Sequence, residues 1–159
     1  MVPKLFTVTL NQHAKASLKD FPSLPKYGVY VILSGNDVLR VGESSSGASR
    51  LSKGFRDPFR RTLRGKDRKN YIAYAWRSSY PNQRLNVEYF ELKDQRFTDN
   101  HFRRALEAEV TFQFRIAKKC WPSEMSEVHF LERFRTDPLL VQTANAILAY
   151  YGVRYDAAI

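Results

Sequence analysis

Cysteine is almost missing: Cys120 is the single one in 159 residues. That excludes an intramolecular disulfide framework and any zinc site built from several thiolates. A lone thiol fits a reducing compartment, and a cytoplasmic location is the expectation. Histidine is scarce as well, and His13 and His101 have no partner pattern that would make them ligands. No apolar run is long enough to span a bilayer, and Met1 to Leu10 contains no signal-peptide core, so no membrane partner is expected. There are no repeats, no low-complexity tract and no inter-domain linker. What the chain has instead is positive charge and aromatic rings. Lys and Arg number 26 against 16 acids, a formal charge of +10, with Phe 11 and Tyr 9. That balance favours a polyanionic partner, and the length suits one ordinary domain, residues 1–159.

The pattern predicts a small, mostly antiparallel sheet flanked by helices, an α+β chain. Leu5 to Leu10 alternates weakly, as an edge strand does, and Asn11 can cap a short helix through Lys19. This front segment reads as an appendage. Tyr27 to Leu33 is β-branched and aromatic and predicts a strand. Ser34-Gly35-Asn36 is turn material, and Val38 to Gly42 is the returning strand. Ser44-Ser45-Ser46 starts a helix carrying Arg50, Leu51 and Lys53. Asp57-Pro58-Phe59 opens another helical turn through Arg64. Asn70 to Arg77 and Leu85 to Leu92 are two further strands. Thr98 or Asp99 caps the longest helix, to about Lys118. Val128-His129-Phe130 is a short strand-like run. Pro138 opens a last apolar helix through Tyr151, stopped by Gly152.

Two intervals carry chemistry. Tyr30, in Gly28-Val29-Tyr30, lies ten positions before Arg40, in Arg40-Val41-Gly42, and Arg50 lies eight after Gly42. A phenol and two guanidiniums close together in a basic chain point to phosphodiester chemistry. Hairpin parity decides whether they meet. A three-residue loop pairs Leu33 with Asp37 and sets Tyr30 opposite Arg40 on one face. A two-residue loop at Gly35-Asn36 sends them to opposite faces, because a one-residue slip inverts every side chain. Their meeting needs the odd loop or a bulge. From Arg50 to Lys69 there are nine basic residues against Asp57 and Asp67, with Phe55, Phe59 and Tyr71 interleaved. Lys53, Arg56, Arg60, Arg61, Arg64, Lys66, Arg68 and Lys69 are therefore candidate phosphate contacts, supplying affinity and little sequence information. The bland alternative is a solvated helix face.

Taken together, these residues resemble the GIY-YIG nuclease domain over roughly residues 27–120, with 1–26 and 121–159 as extensions packed on that core. The resemblance implies a metal-dependent endonuclease that hydrolyses phosphodiesters, usually in DNA, of restriction, repair or mobile-element type. It makes Tyr30 the motif tyrosine, which helps activate the attacking water, and Arg50 the helix arginine. The second motif's tyrosine is missing, since Arg40 stands there. Arg40 beside Tyr30 would favour the phenolate, or grip a phosphate oxygen.

The resemblance also implies one metal-holding carboxylate on the long helix, and two compete. At about 100° per residue, Phe102, Ala105, Leu106, Val110, Phe112 and Ile116 form an apolar face with Glu109 near its middle. Glu107 falls toward its edge, near Arg103 and Lys118. A carboxylate in a packing face needs a cation or donors, so Glu109 is the favoured metal ligand and Glu107 the reserve. The alternative for Glu109 is a structural salt bridge to a core-facing arginine; for Glu107 it is pairing with Arg103 or Arg104. One carboxylate plus waters and phosphate oxygens suits Mg²⁺, and Mn²⁺ should substitute. The family's asparagine after this helix has no counterpart in Cys120-Trp121-Pro122-Ser123; Glu127 and His129 are the nearest replacements. DNA is the expected partner, with RNA open. Two rival readings remain. One is a non-catalytic nucleic-acid-binding module on the same scaffold. The other is an interaction domain whose last helix makes a homodimer face, although packing of that helix on the core is the stronger expectation.

Overall fold

Strand-forming residues with apolar side chains on both faces need cover on both sides, and the middle of the sheet has it. The computed structural model describes residues 1–9, 23–51, 80, 83–120, 122 and 130–156. Four strands form one antiparallel sheet: β1 (Lys4–Thr9), β2 (Gly28–Ser34), β3 (Asp37–Ser44) and β4 (Arg84–Glu91), in the order β1-β4-β2-β3. A short 3₁₀ turn, Gln95–Thr98, leads into α1 (Asn100–Lys118), followed by α2 (Glu132–Arg135) and α3 (Pro138–Tyr150). Residues 48–51 are helical.

One face of the sheet presents Val29, Val31, Leu33, Val41 and Phe90 to Leu106, Val110 and Phe114 of α1 and to Ala144, Ile147 and Leu148 of α3. The opposite face gathers Val8, Ile32, Leu39, Leu85, Val87, Tyr30 and Tyr89, with Leu51 against them. The helix ends follow from local chemistry. The Asp99 carboxylate accepts the His101 N–H at 2.8 Å and starts α1. Asp137 accepts the Leu139 N–H at 2.9 Å, just ahead of Pro138 in the first turn of α3.

The hairpin corrects the sequence reading in one respect. Ser34 pairs with Asp37, so the loop is the two-residue Gly35-Asn36, with Gly35 at φ +59°. A regular ladder from that loop would set Tyr30 opposite Val41, whereas its observed partner is Gly42. Parity is rescued by a bulge: Ile32 pairs with Arg40 and Leu33 with Val38, which leaves Leu39 as an extra residue on β3. Tyr30, Ile32, Arg40 and Gly42 consequently share a face.

The edge strand expected near Leu5–Leu10 is β1, paired with β4 along its whole length and so part of the sheet rather than an appendage to it. Leu140, Ala144, Ile147 and Leu148 of the last helix are buried in the core, so that apolar stripe is not an open dimer face. α1 buries more than one stripe. Arg103, Ala108, Glu109, Gln113 and Phe114 are enclosed along with the expected apolar positions, while Phe112 and Ile116 are only partly covered. The predicted elements at 11–19, 57–64 and 70–77, the pair Val128-His129 and the basic residues Lys53, Arg56, Arg60, Arg61, Arg64, Lys66, Arg68 and Lys69 lie outside the described residues.

Candidate active site

The two motif glycines are seats for tyrosine rings. A Cβ on Gly42 would lie 2.3 Å from both Cζ and the hydroxyl of Tyr30. A Cβ on Gly28 would lie 2.3 Å from Cε1 and Cζ of Tyr89. Each glycine thus removes the one group that would block a neighbouring ring. The Tyr30 ring, anchored on β2, crosses β3 at Gly42 and brings its hydroxyl toward the outer edge of that strand. Tyr89, directly across from Tyr30 on β4, lies over Gly28 of β2 and donates its hydroxyl to the Pro25 carbonyl at 2.8 Å.

Three charged side chains act on the Tyr30 phenol there. The Arg40 guanidinium is close enough to hydrogen-bond it, and Arg50 and Glu107 both act on it through their charge. Burial dominates: Tyr30 is 5% exposed, and its pKa is raised above the ordinary 10.0 although both arginines pull it down. This corrects the expectation that Arg40 makes a ready phenolate. At rest the group is a neutral phenol, a donor and acceptor rather than a base.

Glu107 reaches the same edge from α1. Its Oε2 accepts the Glu43 N–H at 3.2 Å, an N–H of the edge strand one residue beyond Gly42. Burial raises its pKa above 4.5, and the Glu43 carboxylate adds to this; Arg40, the Glu43 N–H and Arg50 partly offset it. Tyr30, Arg40, Arg50 and Glu107 are therefore one electrostatic cluster. Arg50 is exposed and Arg40 and Glu107 partly so, which leaves the cluster open to a ligand.

Glu109 is elsewhere. Two positions further along α1 turns a side chain through about 200°, and Glu109 is buried with Arg135 Nε 3.6 Å from its Oε2 and the Gln113 amide donating to its Oε1 at 3.0 Å. Arg135 is itself held over the Phe130 ring, 5.0 Å from its centroid. The buried carboxylate has its cation and a donor from the protein, and nothing there approaches Tyr30. The structure brings the reserve glutamate, not the favoured one, to the phenol.

Comparison with protein-family models, curated proteins and solved structures finds no match. The site must be read from its own chemistry.

For a metal, that chemistry is a single hard-oxygen donor. Among the described residues no cluster of three or more His, Cys, Asp or Glu side chains occurs. Glu107 nevertheless fits a hydrated divalent cation. It is a carboxylate strained by burial, and the Glu43 N–H on Oε2 leaves Oε1 without a described donor. Such a donor set suits Mg²⁺, which keeps most of its waters.

Two contributors escape the sequence reading. Arg103, 3% exposed, donates Nε to Glu43 Oε2 at 2.7 Å and Nη1 to the carbonyls of Phe97 and Thr98 at 2.7 and 2.9 Å. Glu43 takes that ion pair on its side chain while its peptide N–H holds Glu107. A hint was present in the sequence: an arginine amid Phe102, Ala105 and Leu106 requires a buried partner, but nothing local names Glu43. Tyr89 gave no signal beyond its alternation in β4.

Proposed function

We propose that this chain is a metal-dependent endonuclease of GIY-YIG type acting on DNA, with Glu107 as its metal carboxylate. The observation that carries the reading is the convergence of Tyr30, Arg40, Arg50 and Glu107 at the β3 edge, in a chain of net charge +10. The four-strand antiparallel sheet with helices on one face is compatible with that family.

The roles we assign rest on this arrangement. Arg50, exposed at the rim, and Arg40, against the phenol, bind the non-bridging oxygens of a phosphodiester. A guanidinium's planar fork makes those bonds two at a time and stabilises the charge that builds on phosphorus-bound oxygen. Tyr30 begins as a neutral phenol. It positions the attacking water, and it can take that water's proton only after releasing its own phenolic proton to solvent, a loss the two arginines favour. Glu107 supplies the anionic anchor for a hydrated Mg²⁺, whose contribution is Lewis-acid stabilisation of the leaving oxygen. Glu109 has no part in the chemistry. The basic residues of 53–69 add phosphate contacts along the backbone.

End-labelled single-stranded, duplex and branched DNA, and RNA, incubated with and without Mg²⁺ or Mn²⁺, provide the test. Cleavage should require metal, fall by two or more orders of magnitude in Glu107→Gln and Tyr30→Phe, and persist in Glu109→Gln. Equal cutting by Glu107→Gln and the parent would refute the assignment. A second reading is favoured by Arg40 in the tyrosine position together with a phenol that burial keeps protonated: a nucleic-acid-binding module without catalysis. It predicts binding that weakens steeply with salt and no cleavage with either metal.

A further inference from the structure

Arg103 and Glu107 stand four residues apart on α1, the spacing at which an arginine and a glutamate ordinarily pair across one helical turn. Here they do not. Arg103 runs back toward the helix start, the direction in which helical side chains lean. Its Nε is on Glu43 at 2.7 Å, Nη1 on the Phe97 and Thr98 carbonyls, and Nη2 on the Asn100 Oδ1 at 3.4 Å. Tyr27 covers it, its ring centroid 5.2 Å from the guanidinium carbon. Glu43 thus touches both helix residues in different ways. Its side chain is bound to the guanidinium and its backbone N–H to the carboxylate of Glu107.

We propose that Glu43 is a positioning residue for Glu107: its carboxylate keeps Arg103 occupied while its peptide N–H anchors Glu107, so that Glu107 retains an oxygen for a divalent cation. Without the Glu43 charge, as in Glu43→Gln, the buried guanidinium of Arg103 keeps at most an amide acceptor and loses its anionic partner, which is costly. The carboxylate at hand is then Glu107, one turn on and already against the same backbone. A guanidinium on Glu107 would occupy the oxygen a cation needs. The edge residue after the second motif glycine would in this way decide whether the helix glutamate serves the site or neutralises its own helix neighbour. The inference rests on Glu107 as the metal carboxylate, but its first half concerns protein contacts alone.

The experiment has a metal-free arm and a metal arm. In metal-free protein, urea unfolding of Arg103→Met, Glu107→Gln and the double variant gives the coupling between the two residues. It is expected to be negligible in the parent and to reach about fivefold or more in the unfolding equilibrium constant in a Glu43→Gln background. Because Arg103→Met removes a buried anchor, the Arg103 Nε–H resonance in ¹H–¹⁵N spectra reads the same switch without altering Arg103. It should be insensitive to Glu107→Gln in the parent and shift in Glu43→Gln. In the metal arm, Mn²⁺ binding followed by electron paramagnetic resonance should weaken by about 10- to 100-fold in Glu43→Gln, and recover in Glu43→Gln/Arg103→Met. Coupling that switches on only without the Glu43 carboxylate, with Mn²⁺ affinity lost and regained as stated, supports the proposal. Coupling in both backgrounds or in neither, or a Mn²⁺ affinity that Glu43→Gln leaves intact, overturns it. A parent that binds no Mn²⁺ while the coupling switches as described overturns the metal reading and leaves Glu43 as the residue that keeps Arg103 from Glu107.

Discussion

A methyl group at position 42 has no room, because the Tyr30 ring already fills the space over that Cα. Gly42→Ala must displace the ring or the strand. A cost of about 1–3 kcal/mol is expected, the usual range for overpacking a well-packed site. Urea unfolding of the variant in parent and Tyr30→Ala backgrounds checks it, since the penalty should largely vanish once the ring is gone. Glu107 allows a second prediction at the same scale. Its folded pKa is raised above the 4.5 of a free glutamate. Its contribution to stability is therefore full below that value and lost as pH rises through the raised pKa, because the folded state resists giving up the proton. Glu107→Gln keeps an acceptor for the Glu43 N–H and removes the charge. Melting curves should show it more stable than the parent at neutral pH, with the gain fading toward pH 4.5. Stabilisation by loss of a group that activity requires is the expected mark of a working site.

At the scale of elements, α1 explains both what the sequence revealed and what it hid. Its length, its start at Thr98 or Asp99 and its end near Lys118 were legible, because capping and periodicity are local. The choice between Glu107 and Glu109 was not, because a helical projection presumes one covered side. The sheet covers one side of α1 and α3 another, and residues near Asp156 close over Gln113, whose amide exchanges two hydrogen bonds with the Asp156 backbone at 2.8 and 3.0 Å. Glu109 faces that second cover, and its cation, Arg135, comes from a four-residue helix that no pattern connected to it. Glu109→Ala should therefore destabilise by about 1–3 kcal/mol, the cost of stripping a buried hydrogen-bonded group from its partners. Metal affinity, measured by calorimetry, should remain at the parent's level. The same contrast holds in the hairpin. Both strands were readable from β-branched residues, but the loop length and Leu39 were not, since pairing is settled by both strands at once.

For the molecule as a whole, tyrosine burial sets the alkaline limit. Tyr30 and Tyr151 titrate above the ordinary value, and Tyr89 and Tyr155 are each pushed up to about 12, burial being the first cause in every case. The unfolded chain sheds these protons near pH 10 and the folded one later. Stability should be level up to that pH and fall as pH rises through the shifted values. Near-ultraviolet titration should show a group of phenols ionising late and together with loss of structure. The net charge of +10 was the most readable global property, and it predicts salt-sensitive association with polyanions. Gathering a phenol, two guanidiniums and a carboxylate at one edge was readable only as a conditional, and the condition was a single amino acid. Leu39 is that condition. Were it drawn into the ladder opposite Ile32 instead of bulging, residues 40–44 would slip by one along β2, and Arg40 and Gly42 would exchange sides with Val41. The phenol would then meet an isopropyl group where it now lies over the bare Cα of Gly42. Excising Leu39 altogether would join Val38 to Arg40 and keep Ile32 opposite Arg40 and Tyr30 opposite Gly42, so what the cluster needs is that this residue, while present, stays out of the ladder.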